Sequence, residues 1–356
     1  MIRKILLTIL ISASVSAVFA QSGRVKPTET PTPAPEKSRR PIVYMPTEKI
    51  AAKPSPTPVA ETKTGAEDDD IIKVDSALVP IPVSVLDAGG QAVTNLRLED
   101  FTLLIDGQTA EIGELSRSET PVRLALLFDN SSSVTVAREF EKKAAIRFFK
   151  RVIRPSKDLA ALFSVSTGTR LEQPLTKDVS QLTNAIELFP QPQGATALLD
   201  AIIKASDYLR EAEGRRVIVI VSDGEDTISD STFEDTVRAV QAGNVQVYVV
   251  KTKEFENFKQ TGQRGGNANI RALAAERRMQ EITHQTGGAV YSPIDERELD
   301  QAFNQISAEL SQQYVLSYYP ENETDKRGEF RTISLSVKSK PNLNVRTRKG
   351  YYVPKR

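Results

Sequence analysis

The stretch "LALLFDNSSSVTV", residues 124–136, runs five apolar residues into Asp129, Asn130 and three serines. A continuous apolar run of this length suits a strand covered on both faces, as in a parallel sheet sandwiched between helices. Its polar end leaves three readings open. The carboxylate and hydroxyls can cap a helix, surround a nucleophile, or form half of a metal site.

The same texture recurs downstream. After the first run come a helical pattern at "AREFEKKAAIRFFKRVI" (137–153) and a second apolar strand, "LAALFSVS" (159–166). A polar hairpin follows, then helices over about 178–188 and 196–212, and the strand "RRVIVIVSDG" (215–224). Helix 231–242, strand "VQVYVVKT" (245–252), helix 269–286, short strand "AVYSP" (289–293) and helix 295–311 complete the series. Strand–helix alternation with short apolar strands predicts an α/β fold, a doubly wound, mostly parallel, Rossmann-like sheet over residues 121–311.

The flanks read differently. "ALVPIPVSVLD" (77–87) places Val79, Ile81, Val83 and Val85 on one face, and "DFTLLIDG" (100–107) does the same with Phe101, Leu103 and Ile105. Pro80 and Pro82 cannot donate to a ladder, so the first of these is expected at a sheet edge. Turn signals stand at "DAGG" (87–90) and "DGQ" (106–108). Alternation returns after Gln312 in "QYVLSYYP", "EFRTISLSVKS" and "VRTRKGYYV", the last expected as one strand. Neither piece alone has enough strands to bury its apolar face. Residues 71–120 and 312–356 are therefore expected to pair into one Ig-like β-sandwich, with the α/β domain inserted in it.

Residues 1–20, "MIRKILLTILISASVSAVFA", have the basic start, apolar middle and small-residue end of a secretory signal peptide. Export to the periplasm or beyond is the expectation, an uncleaved N-terminal anchor being the alternative. Residues 21–70 are rich in proline and poor in large apolar side chains, the composition of a disordered tether. No later segment has the length and apolarity of a membrane span.

Composition narrows the chemistry. A net charge of +1 over 356 residues gives no footing for nucleic-acid binding. With no cysteine there is neither a disulfide framework nor a thiolate metal site. The single histidine, His284, sits at the end of a late helix, and no G-x-S-x-G elbow accompanies Ser131 to Ser133. A serine hydrolase is thus the least favoured alternative, and a non-enzymatic role is expected.

In an open α/β sheet, ligands bind beyond the carboxyl ends of the strands. Asp129 and Asp223 end two such strands there, and Thr196 opens a helix between them in sequence. Asp129, Ser131, Ser133, Thr196 and Asp223 can converge on one loop-built edge offering oxygen alone, a set suited to Mg²⁺ and less selectively to Mn²⁺ or Ca²⁺. A capping role for Asp129 or a serine before the helix beginning near Val134 is the simpler explanation, but it leaves Thr196 and Asp223 unexplained.

These residues carry a resemblance. D-x-S-x-S after an apolar strand, then Thr196, then "VSDGEDT", resembles the metal-ion-dependent adhesion site (MIDAS) of von Willebrand factor A domains, over about residues 120–311. "LEDFTLLIDG" and "QYVLSYYP…RKGYY" also resemble the bacterial family of such proteins first described from acidobacteria. The resemblance implies that Asp129, Ser131 and Ser133 bind metal directly, and Thr196 and Asp223 directly or through water. It further implies a binding module whose ion is completed by an Asp or Glu of a protein partner. A structural or complex-assembly scaffold, with a metal site that is silent or merely stabilises the loops, is the alternative.

Three other stretches invite a reading. "DGEDTISDSTFED" (223–235) fails as an EF-hand loop, because Ile228 and Thr227 stand where glycine and a ligand are required. A solvated loop is its default reading, with Glu225 and Asp226 as candidates to hold a second, weaker cation or to shape partner preference. Residues 252–268, with "QTGQRGG", read as a mobile loop at the rim of the binding face. The basic end "RTRKGYYVPKR" reads as a strand with outward charges.

Overall fold

The computed structural model describes residues 78–117, 120–134, 138–263, 270–320, 327–338 and 342–353. The signal peptide, the proline-rich tether and residues 71–77 lie outside these.

The described residues begin with four strands, β1 (Val79–Leu86), β2 (Phe101–Ile105), β3 (Gln108–Ala110) and β4 (Glu114–Arg117). The α/β block follows: β5 (Val122–Asp129), α1 (Arg138–Val152), β6 (Leu159–Val165), β7 (Thr169–Thr176), α2 (Val179–Glu187), α3 (Leu198–Leu209) and β8 (Arg215–Ser222). It continues with α4 (Phe233–Ala242), β9 (Val245–Lys251), α5 (Lys253–Thr261), α6 (Ile270–Thr286), β10 (Val290–Tyr291) and α7 (Glu296–Gln312). Four strands close the chain: β11 (Tyr314–Tyr318), β12 (Phe330–Val337), β13 (Asn344–Thr347) and β14 (Gly350–Tyr352).

The central sheet has the order β10-β9-β8-β5-β6-β7, parallel throughout except for the antiparallel edge strand β7. Its strands are apolar on both faces because both are covered. Leu124, Leu126 and Phe128 of β5 pack toward α1, α2 and α7 through Phe148, Ile186 and Ile306. Ala125 and Leu127 pack on the opposite side with Ile202 of α3, Val240 of α4 and Ile282 of α6. This period-two division between two cores is the physical content of the apolar runs.

The flanking strands form two four-stranded antiparallel sheets, β13-β1-β11-β4 and β14-β12-β2-β3. Strands from before and after the α/β block pair directly, β1 with β11 and β13, and β2 with β12. Ile81 and Val83, Phe101 and Leu103, Leu316 and Ile333 share one core. The turn between β2 and β3 uses Asp106 and Gly107, both at positive φ (49° and 79°), the geometry a two-residue hairpin of matching twist requires.

Three expectations are corrected. The prolines predict that β1 is an edge strand, yet it lies inside its sheet. Pairing with β13 begins only at Val83, so the missing N–H groups of Pro80 and Pro82 fall on a side where no ladder runs. Their carbonyls on that side accept from Arg348 Nη2 (2.8 Å) and Thr347 Oγ1 (2.9 Å) instead. Residues 345–353 are not one strand. The chain breaks at Arg348 and Lys349, sending β13 to one sheet and β14 to the other; a Cβ on Gly350 would stand 2.4 Å from the Arg331 carbonyl, so only glycine permits that approach. Finally, residues 253–261 form α5 rather than a loop. Phe255 is buried, and Gly262 ends the helix at φ 68° with its N–H on the Phe258 carbonyl.

Candidate metal centre at the strand ends

Strands β5 and β8 are neighbours at the point where the strand order reverses, since the chain proceeds from β5 to one side through β6 and returns to the other through β8. Asp129 ends β5 and Asp223 directly follows β8, so the register brings two carboxylates to one crevice. Both are buried, at 1% and 2% exposure.

Local bonding organises the loop after β5. Asp129 Oδ1 accepts from the Ser131 N–H at 2.9 Å, which folds "DNS" into a tight turn, and Asp129 Oδ2 accepts from Ser222 Oγ at 2.6 Å. Ser131 Oγ lies 2.9 Å from Ser133 Oγ. Ser131 is buried and Ser133 exposed, so the pair runs from the crevice floor to its rim. Asp223 Oδ1 accepts from the Glu225 N–H at 2.9 Å.

Thr196 is buried in the adjoining loop and is tied in through its backbone. Its N–H donates to Thr227 Oγ1 (2.9 Å), and its carbonyl accepts from the Thr227 N–H (2.9 Å). The loop before it is joined to the serines by the Ser132 N–H on the Gly194 carbonyl (3.2 Å). Asp129, Ser131, Ser133 and Asp223 are thus linked by hydrogen bonds and mutual charge, while Thr196 joins them through the main chain.

Asp226 is neither simply solvated, the default reading of its loop, nor free to hold a second cation with both oxygens. Its Oδ1 accepts from the N–H groups of Leu198 (2.8 Å) and Leu199 (3.2 Å), capping α3 from another loop.

Several buried neighbours of the crevice were not visible in sequence. Arg138, buried at the start of α1, donates to Asn130 Oδ1 and to the carbonyls of Phe189 and Pro190, pinning the serine loop to the segment before Thr196. Glu141 of α1 and Glu256 of α5 are buried at 1% and 3% exposure. Among the described residues, Glu141 Oε1 and Glu256 Oε1 have no hydrogen-bond partner. A charged residue in a helix reads as solvated by default, so no sequence signal marks these three. For α5 itself a signal existed, the Phe255–Phe258 spacing followed by Gly262.

The electrostatics of the crevice are those of excess negative charge. Burial pushes the Asp129 carboxyl up to about 6, against the bonds from Ser222 and Ser131, with the charge of Asp223 adding to the rise. Burial and then Asp223 push Glu256 up to about 8, opposed by Lys253. Glu141 is driven well above its usual range by burial first and by Glu256 second. The nearby ammonium of Lys253 stands 3.8 Å from Asp223 Oδ2 and 3.5 Å from Glu225 Oε1. The donor set fits a hard cation: two buried carboxylates at neighbouring strand ends, with the Ser131 and Ser133 hydroxyls beside them. Among the described residues no group of three or more acidic, histidine or cysteine side chains is placed to hold a metal ion, so hydroxyls and water would have to complete any coordination.

His284 is exposed near the end of α6, which leads into the start of β10. It therefore lies at the opposite end of the parallel sheet from Ser131. Among the described residues no helix is long and apolar enough to cross a membrane.

The von Willebrand factor type A domain family matches residues 124–225, the interval from β5 through the Asp223 loop. No curated protein matches the chain. Among solved structures, the PilB minor pilin from Streptococcus sanguinis is similar at 12% identity and a TM-score of 0.42, over 58% of this chain; the chain spans 64% of the pilin's length. The conserved hypothetical protein BatB from Bacteroides thetaiotaomicron is similar at 16% identity and a TM-score of 0.39, over 53% of this chain and 98% of BatB. The pilus adhesin SpaC from Lactobacillus rhamnosus GG is similar at 11% identity and a TM-score of 0.44, over 72% of this chain and 48% of the adhesin. Likeness at this level says nothing of what the present chain binds. The matched interval, the mostly parallel sheet and the paired strand-end aspartates together establish that a von Willebrand factor type A domain is present in this chain.

Proposed function

We propose that the chain is an exported, divalent-cation-dependent protein-binding module of the acidobacterial type, and not an enzyme. Mg²⁺, or Mn²⁺ or Ca²⁺, would be held by Asp129, Ser131, Ser133, Thr196 and Asp223 and would accept an Asp or Glu side chain of a partner protein. The flanking sheets would form an Ig-like sandwich carrying this domain, and residues 21–70 would hold it off the envelope. The observation that supports this most is the pair of buried carboxylates at the ends of β5 and β8, one of them raised to about 6. Few carboxylates and several hydroxyls leave a bound cation incompletely neutralised, and such an ion attracts an outside carboxylate.

The test is thermal unfolding in EDTA and then in excess Mg²⁺, Mn²⁺ or Ca²⁺, with Asp129→Ala alongside. A metal at about a hundred times its dissociation constant stabilises by roughly 2.7 kcal/mol, a shift of a few degrees that the variant should lack. Equal curves with and without metal in wild type would refute the reading.

One observation favours a second reading. Both oxygens of Asp129 already accept internal hydrogen bonds, so an ion there could serve only to brace the loops of a scaffold. Partner binding would then survive EDTA.

A further inference from the structure

Where β8 begins, at the end of the sheet away from Asp129, the α/β block meets the flanking sheets around a cavity of about 310 Å³. That is at the small end of the range of ligand pockets, roughly 300–1,000 Å³. Pro80 and Pro82 of β1 line one side, Arg215 and Arg216 of β8 another, and Asn244 and Arg348 close it. Three lining residues are arginines, and among the described residues none is acidic.

Among the described residues, two of these arginines are buried with no carboxylate at ion-pair distance, Asp158 acting on Arg215 only from farther off and Arg348 lying 5.7 Å from the centre of the Tyr351 ring. Arg215, 6% exposed, donates to Gln313 Oε1 (2.7 Å) and to the Leu310 carbonyl (2.6 Å). Arg348, 8% exposed, donates to Asn244 Oδ1 and to the Pro80 carbonyl (2.8 Å). Every one of these acceptors is neutral. The Nε of each is buried and has no hydrogen-bond partner among the described residues. Neighbouring arginines are treated otherwise: Arg346 pairs with Glu309 at 2.5 Å and Arg154 with Asp158 at 2.7 Å. Burial lowers both unpaired guanidinium groups to about 10, so they remain charged at neutral pH while being held at a cost.

We propose that this cavity binds a small oxyanion, a phosphate- or carboxylate-bearing group held between Arg215 and Arg348. Guanidinium donors match such oxygens in pairs. Arg215 belongs to the central sheet and Arg348 to the connection between β13 and β14, so the occupant would clamp the flanking sheets to the α/β block. The site is independent of the strand-end crevice, since Arg215 and Ser222 stand at opposite ends of β8.

Thermal unfolding and isothermal titration calorimetry of the full chain with sodium phosphate, and separately with sodium citrate, test this at ionic strength held constant with sodium chloride. The expected result is one saturable site and a rise in Tm of a few degrees over the chloride control. Arg348→Met should abolish both, and Arg348→Lys should weaken binding at least tenfold while retaining the fold. Response to phosphate alone would identify a phosphate-type ligand, and response to citrate alone a carboxylate. No heat and no shift beyond chloride in wild type would overturn the proposal, as would a response undiminished in both Arg348 variants. The wild-type titration decides the matter even if Arg348→Met fails to fold.

Discussion

Ser222 Oγ donates a 2.6 Å hydrogen bond to Asp129 Oδ2 and accepts the Gly224 N–H at 3.0 Å. One hydroxyl thereby couples the ends of two adjacent parallel strands and sets the turn that aims Asp223. Replacing it with alanine strips a buried carboxylate of one donor and an amide of its acceptor. Ser222→Ala is expected to lower stability by about 1.5–3 kcal/mol, the range for a hydrogen bond to a charged group. Urea unfolding at neutral pH measures this, and an unchanged midpoint would mean the bond contributes nothing.

Glu256 gives a pH dependence of definite sign. Its folded-state carboxyl is raised from 4.5 to about 8, so the folded chain holds that proton more tightly than the unfolded chain. Its stabilising contribution is complete below about 4.5 and is lost as pH rises through about 8. In EDTA, the Tm of wild type should therefore fall relative to Glu256→Gln between these values, with the two differing by a constant below them. Parallel Tm curves across the whole range would show that Glu256 does not titrate in this way.

Asp226 caps α3 from a distant loop, and Asp226→Ala should cost about 0.5–2 kcal/mol, as loss of a helix cap does. Amide exchange should accelerate at Leu198 and Leu199 before it does elsewhere in α3. Because the same loop carries Thr227, which fixes the Thr196 backbone, any affinity for the proposed cation would weaken as well. Unaltered exchange at those two amides would disprove the cap.

Removal of residues 314–356 deletes β11 to β14 and leaves β1 and β2 without the partners that cover Ile81, Leu103 and Ile105. The truncated chain is expected to expose residues 78–117 to limited proteolysis while the α/β block resists. A protease-resistant 78–117 segment in that truncation would show that the leading strands form a core of their own.

The α/β block was legible because its signals are local. The runs 124–128 and 217–221 are apolar at every position, which only a doubly covered strand tolerates, and the polar residues that end them mark the ligand edge. Asp129, Ser131, Ser133 and Asp223 stand out from that pattern, and Thr196 from its place at the start of a helix. Arg138, Glu141 and Glu256 could not, because a charged side chain in a helical stretch carries no mark of burial, and burial follows only once α1 and α5 pack beside the crevice. Local reading also placed β1 at an edge and joined β13 to β14.

The sequence by itself determined the alternation of strands and helices, the apolar faces of the flanks and the carboxylates and hydroxyls that end the strands, all properties of period and composition within a few residues. Tertiary structure decided which strands pair. Val79 meets Tyr318 across more than two hundred residues, and Ser222 meets Asp129 across ninety-three. It likewise decided that Arg215 and Arg348 share a cavity without an acid. Such partnerships depend on chain closure and on which surfaces become dry together, and those are fixed only when the whole core forms.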